Sequence, residues 1–234
     1  MSNDIWAKID YRKARGLYDR RVSIHCQLQD LYERRDIPAY VDLALGITDR
    51  DANYSASEHE LGPRILQFSQ HSLIFCLADQ FMCCDDPLKI PDIVYQANLP
   101  YLKISVGSEM AAMLRPDVFW VTNIRTLWAY PVLGHDGDTE PANELLRLYR
   151  EQEHDYHRDP GSHRDLDYSK WREFHRMLEG RLSQLAQLGS VEANSQRVES
   201  GELTFLWADA VADTMYNQYA WTARLPHRRR SHRF

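Results

Sequence analysis

Apolar residues recur along most of this chain at spacings of three and four, the period of an α-helix with one face in a core. Asn3 to Arg35 reads as one long helix or two in succession, with Ile5, Trp6, Ile9, Leu17, Ile24, Leu28 and Leu31 on one side. Asn3 or Asp4 is placed to cap it, and Gly16 to break it. Pro38 opens a short helix, Ala39 to Leu45, that stops at Gly46. Thr48 to Ser57 is polar and reads as a loop, and Ser57-Glu58-His59-Glu60 has the form of a capping box. A helix starting at Pro63 then runs to about Met82, apolar on all sides in its second half.

Pro87, Pro91 and Pro100 mark a connector that holds a short helix, Asp92 to Ala97. Pro100 to Arg115 reads as a helix, although Leu102, Ile104 and Val106 alternate with Lys103 and Ser105 in the period of a strand. On that second reading Gly107 turns the chain and Ser108 caps a helix from Glu109, and Val118 to Val121 is the only candidate partner strand. Asp117 to Leu133 is expected as an apolar helix capped by Asp117, followed by a turn over Gly134 to Asp138. Pro141 opens a helix through about Tyr156, and Arg158 to Asp167 is a loop. Tyr168 to Gly189 carries Trp171, Phe174, Leu178, Leu182 and Leu185 as an amphipathic stripe, and Glu202 to Thr222 is the last helix.

The pattern predicts an all-α fold. Residues 1–223 form a single-domain bundle of about seven to nine helices, with those near 63–82, 100–115, 117–133 and 202–222 at its centre. The alternative is α+β with a short strand near 101–106. Residues 224–234 lose the apolar pattern and are expected to be a flexible basic tail. Composition agrees with helix: Leu and Ala outnumber Val, Ile and Thr, and only 10 glycines occur.

The longest apolar run, Leu73 to Ala78, is far too short for a membrane-spanning helix, so no membrane association is expected. The net charge is −6, yet the eleven residues from Arg224 to Phe234 hold five Arg and no acid. The body is therefore more acidic than the whole, which argues against a broad nucleic-acid-binding face. Met1 to Asp10 is polar and does not resemble a secretory signal. Cys26, Cys76, Cys83 and Cys84 lack the C-x-x-C spacing of a zinc or redox site, and Cys76 reads as a core residue. Four free thiols in a cytoplasmic protein is the expectation.

Charged groups inside apolar helices are the main candidates for chemistry. Glu109, Arg125, Asp209 and Asp213 sit within such segments, and His71 and Asp79 flank the run from Leu73 to Ala78. A lone buried charge is costly, so these groups should meet. One reading is a polar pocket in which Arg125 holds an acid or phosphate and Glu109 acts as base. The other is a structural ion pair between Glu109 and Arg125 that fixes helix register.

Other constellations are weaker. Glu151-x-x-His154 has di-iron spacing but no second copy. His154, His157 and His163 are weak metal candidates, set against a solvated helix end; no metal and no cofactor are expected. Arg20 with His25, His135-Asp136, and Cys26 beside His25 are matches that chance supplies. No phosphate-cradling glycine loop and no G-x-S-x-G turn occurs. Tyr11, Tyr18, Tyr32, Tyr40 and Tyr54 stand among charged residues, as half-exposed interface aromatics do, or else as the cover of a small core. Arg228, Arg229, Arg230 and Arg233 can contact phosphate or an acidic partner.

These observations point first to a non-catalytic cytoplasmic interaction or regulatory protein, acting on a protein partner or on itself through a helical surface and its basic tail. The alternatives are a helical enzyme or small-molecule binder built around Glu109, Arg125 and Asp209, and a nucleic-acid-associated protein that binds through the tail alone.

Overall fold

The computed structural model describes residues 5–146 and 164–220. Among them are eleven α-helices and no β-strand. They are α1 (Tyr11–Glu33), α2 (Ile37–Ala44), α3 (Tyr54–Glu58), α4 (Leu61–Phe68), α5 (His71–Met82), α6 (Ile90–Ala97), α7 (Ile104–Leu114) and α8 (Ile124–Gly134). The described part of α9 covers residues 140–146, and α10 (Arg164–Ser195) and α11 (Thr204–Tyr219) complete the set. The all-α class stands, with more and shorter helices than the periodicity predicts.

The extra helices arise where the backbone leaves helical geometry inside an unbroken apolar pattern. Ile9 is extended, and Asp10 restarts the chain by accepting the Lys13 N–H, so α1 begins at Tyr11 and runs straight through Gly16. Ser69 is likewise extended and divides the expected 63–82 helix into α4 and α5. The polar stretch before it is not all loop, because Asn53 caps α3 by accepting the Ala56 N–H. Ser57 therefore lies inside α3, with its hydroxyl on the carbonyls of Gly46 and Arg50, and caps nothing.

The strand near 101–106 does not form. Lys103 is extended, but the chain enters α7 at Ile104, and Val106 to Leu114 are buried without interruption. The alternation is present in the burial, with Leu102, Ile104 and Val106 buried and Lys103 exposed, but it straddles the extended Lys103 and the first turn of α7. Residues 119–122 lie outside regular secondary structure. Helix α8 starts later than Asp117, at a capping box in which Asn123 accepts from Thr126 N–H and Thr126 Oγ1 accepts from Asn123 N–H.

Helices α7 and α11 form the centre. Residues 206–216 of α11 are all buried, and α11 packs on α1, α8 and α10. Helix α7 packs on α1, α3, α5 and α6. Trp120, Trp128 and Trp207 lie in this core, as do Tyr11, Tyr18 and Tyr40, which are not the half-exposed interface residues their charged neighbours suggested. Cys76 departs in the other direction: it is exposed on α5, and only Cys84 of the four free thiols is buried. No helix among the described residues is long and apolar enough to cross a membrane.

Candidate functional site

On α1 the positions Tyr18, Ile24 and Leu28 face the core, and Arg21 falls on the same face at helical spacing. The guanidinium is thereby drawn inward until the side chain is 1% exposed. Such a charge needs partners on the helices it meets. Glu109 on α7 supplies one: its Oε1 accepts from Arg21 Nη1 and Nη2, each at 3.1 Å. Asp209 on α11 supplies the other, with Oδ2 at 2.7 Å from Arg21 Nη1. No N–H is aligned with either Asp209 oxygen, so this contact is an ion pair without a directed hydrogen bond. Arg21 Nε is spent on Met113 Sδ at 3.3 Å.

Glu109 does more than pair with Arg21. Oε1 accepts the Tyr54 N–H and Oε2 the Ser55 N–H, both at 3.0 Å. These are peptide groups at the start of α3, which have no partner within their own helix and favour an anion. The approach depends on the preceding loop. Gly46 turns it at a φ of +68°, and a Cβ there would lie 2.3 Å from Ser57 Oγ. Asn53 ties the loop down by donating to the carbonyls of Ala44 and Val106.

A second pair extends the cluster towards the surface. Arg125 on α8 is 13% exposed, with Nε 2.8 Å from Asp213 Oδ1 and Nη2 3.6 Å from Glu58 Oε2. Asp213 also accepts from Asn217 Nδ2 at 2.9 Å. Both guanidiniums lie near the Tyr54 ring, with Arg21 Cζ at 5.0 Å and Arg125 Cζ at 4.5 Å from its centroid, so the ring adds cation–π attraction.

Electrostatics follow from this crowding. Burial alone would lower the Arg21 pKa, but Asp209 and Glu109 offset it and the guanidinium stays charged. Burial pushes Asp209 up to about 6, helped by Glu109 and Asp213 and opposed by Arg21 and Arg125. A simple ion pair would lower its acid. Here the acid rises because three carboxylates share two guanidiniums, and burial penalises the excess. Asp213 is raised for the same first reason, and burial likewise raises the Tyr54 phenol.

Of the residues singled out from sequence, Glu109, Arg125, Asp209 and Asp213 come together. Glu109 meets Arg21 rather than forming the expected direct pair with Arg125. His71 stands elsewhere, its Nε2 3.3 Å from Asp42 Oδ1 near the surface. Asp79 accepts from the Tyr32 hydroxyl at 2.7 Å and from the Arg35 guanidinium at 3.4 Å. Arg20 and His25 serve different neighbours, Asp49 and Asp51 for the first and the Met113 carbonyl for the second. His154, His157, His163, Arg228, Arg229, Arg230 and Arg233 lie outside the described residues. Among the described residues no three His, Cys, Asp or Glu side chains are grouped to hold a metal.

Sequence reasoning missed Arg21, and it read Tyr54 as an interface or core-covering aromatic without joining it to the cluster. The signal for Arg21 was present, since it lies three residues from both Tyr18 and Ile24 on the buried stripe. It also missed His175, which is 1% exposed on α10. Its Nδ1 lies 2.6 Å from Thr122 Oγ1 and its Nε2 3.0 Å from the Pro87 carbonyl. The Pro87 carbonyl can only accept, so Nε2 carries a proton, and in the neutral ring that burial favours Nδ1 accepts the Thr122 hydroxyl. Burial lowers its pKa to about 4.

No family model, no curated protein and no solved structure matches this chain. The geometry itself is therefore the basis for a functional reading. Chemically, the cluster is a set of charges that face one another and two peptide groups, in which one guanidinium joins α1, α7 and α11.

Proposed function

We propose that the chain is a non-catalytic cytoplasmic interaction or regulatory protein, and that its partner, a protein or a second copy of itself, docks on the apolar surface around Phe68 and Tyr101. One observation carries this reading. The two rings pack on each other, with centroids 5.7 Å apart, while Phe68 is 62% and Tyr101 44% exposed. Leu73, at the start of α5, is also exposed. Large aromatics in contact outside the core are the usual anchors of a protein interface.

The state of the charged cluster supports the same reading over a ligand pocket. Glu109 is taken up by Arg21 and by the α3 backbone, and Arg125 by Asp213 and Glu58. Four thiols without a disulfide fit a reducing compartment. Under this proposal Arg228, Arg229, Arg230 and Arg233 add salt-dependent contacts to an acidic partner.

Photo-crosslinking tests the proposal. A benzophenone amino acid at position 68 is compared with the same group at the exposed position of Glu179 in cells that express the chain. A discrete adduct from position 68 alone supports the reading, and its mass separates a second copy from another protein. Equal adducts from both positions, or none from 68, overturn it.

A further inference from the structure

Charge in the buried cluster does not balance. Glu109, Asp209 and Asp213 face Arg21 and Arg125, and Glu58 adds a further carboxylate at the rim. The deficit falls on Asp209. Glu109 accepts two peptide N–H groups as well as Arg21, and Asp213 has the Asn217 amide as well as Arg125. Asp209 is 2% exposed, and no donor is directed at either of its oxygens.

The groups around it come from every packed element. Helix α1 brings Arg21, and its Lys13 acts on Asp213. Helix α7 brings Glu109, α8 brings Arg125, α3 brings Tyr54 and Glu58, and α11 itself brings Asp213. Helix α10 places Gly189 against Trp207 and Val211 of α11.

We propose that Asp209 is a proton-binding centre: in mild acid its carboxyl takes up a proton, which leaves one buried carboxylate for each guanidinium and strengthens the packing of α11 on α1. A neutral carboxyl loses the penalty of burial without stranding Arg21, which keeps Glu109. The folded pKa, about 6, lies above the unfolded value of 3.8. The proton therefore favours the folded state. This contribution is complete below the unfolded pKa and is lost as pH rises through the folded one.

The test is the melting temperature of the wild type and of Asp209→Asn from pH 8 to pH 5 at constant ionic strength. Asparagine copies the neutral carboxyl at every pH. The variant should melt above the wild type at pH 8, by about 4 °C or more, and this lead should shrink as the pH falls through 6. A difference that is constant with pH, or that grows in acid, overturns the proposal. Should the variant not fold, carbon-13 spectra of the wild-type chain labelled at aspartate carboxyls give the same answer. One aspartate that titrates near pH 6 and disappears in Asp209→Glu upholds it, and the absence of any aspartate titrating above pH 5 overturns it.

Discussion

Arg21 and Asp209 belong to helices near opposite ends of the chain, yet Arg21 Nη1 and Asp209 Oδ2 lie 2.7 Å apart in the interior. Glu109 closes on the same guanidinium from the middle of the sequence. One side chain thus holds α1, α7 and α11 in register. Such a cluster need not be more stable than an apolar one of the same volume, but removing Arg21 leaves buried carboxylates that water cannot reach.

Arg21→Lys is expected to behave as a severe substitution. The ammonium cannot reach Glu109 with two donors while also facing Asp209 and Met113. A loss of about 2–4 kcal/mol in urea denaturation is expected, without loss of helical signal in the surviving folded fraction.

Arg125→Gln should cost less, about 1–3 kcal/mol, because Asp213 retains the Asn217 amide and this end of the cluster reaches the surface. Thermal melts of both variants under one condition give the ordering. Arg125→Gln proving the more damaging would contradict the assignment of Arg21 as the central residue.

His175 sets an acid limit. Its pKa is about 4 in the fold against an ordinary 6.5, so the unfolded chain takes up a proton that the folded one refuses. The stability this neutral ring confers is fully present above pH 6.5 and is lost as pH falls towards 4, by on the order of 3 kcal/mol at most. This runs opposite to Asp209 over part of the same range. His175→Gln should flatten the acid limb of the stability curve, as measured by urea midpoints from pH 7 to pH 4.

Gly46→Ala should destabilise by about 1–3 kcal/mol, since a Cβ must tolerate a positive φ and displace Ser57 Oγ. The damage should be local. Hydrogen exchange should quicken first at the Tyr54 and Ser55 amides, which Glu109 caps. Uniform loss of protection across the chain would contradict the role given to this loop.

The sequence made the all-α class legible because Leu17, Ile24 and Leu28, or Leu178, Leu182 and Leu185, repeat with a helical period. It was less exact about where helices begin and end. Around Leu102 to Val106 burial alternates across the extended entry to α7, a pattern that also fits a strand, and the break at Ser69 has no glycine or proline to announce it. Glu109, Arg125, Asp209 and Asp213 were legible as charges in apolar surroundings. Their pairing was not, because Arg21 lies in a helix rich in surface charge and Glu109 lies opposite a loop whose path depends on Gly46 and Asn53.

The central claim is that Arg21 and Glu109 act as one unit, and a double-mutant cycle at pH 7 tests it most directly. Arg21→Met, Glu109→Gln and the double variant are compared with the wild type by urea denaturation. The expected result is a coupling energy of about 1.5 kcal/mol or more, with the double variant much less damaged than the two losses combined. Additive losses, with coupling below about 0.5 kcal/mol, would show that the cluster does not hold the three helices together.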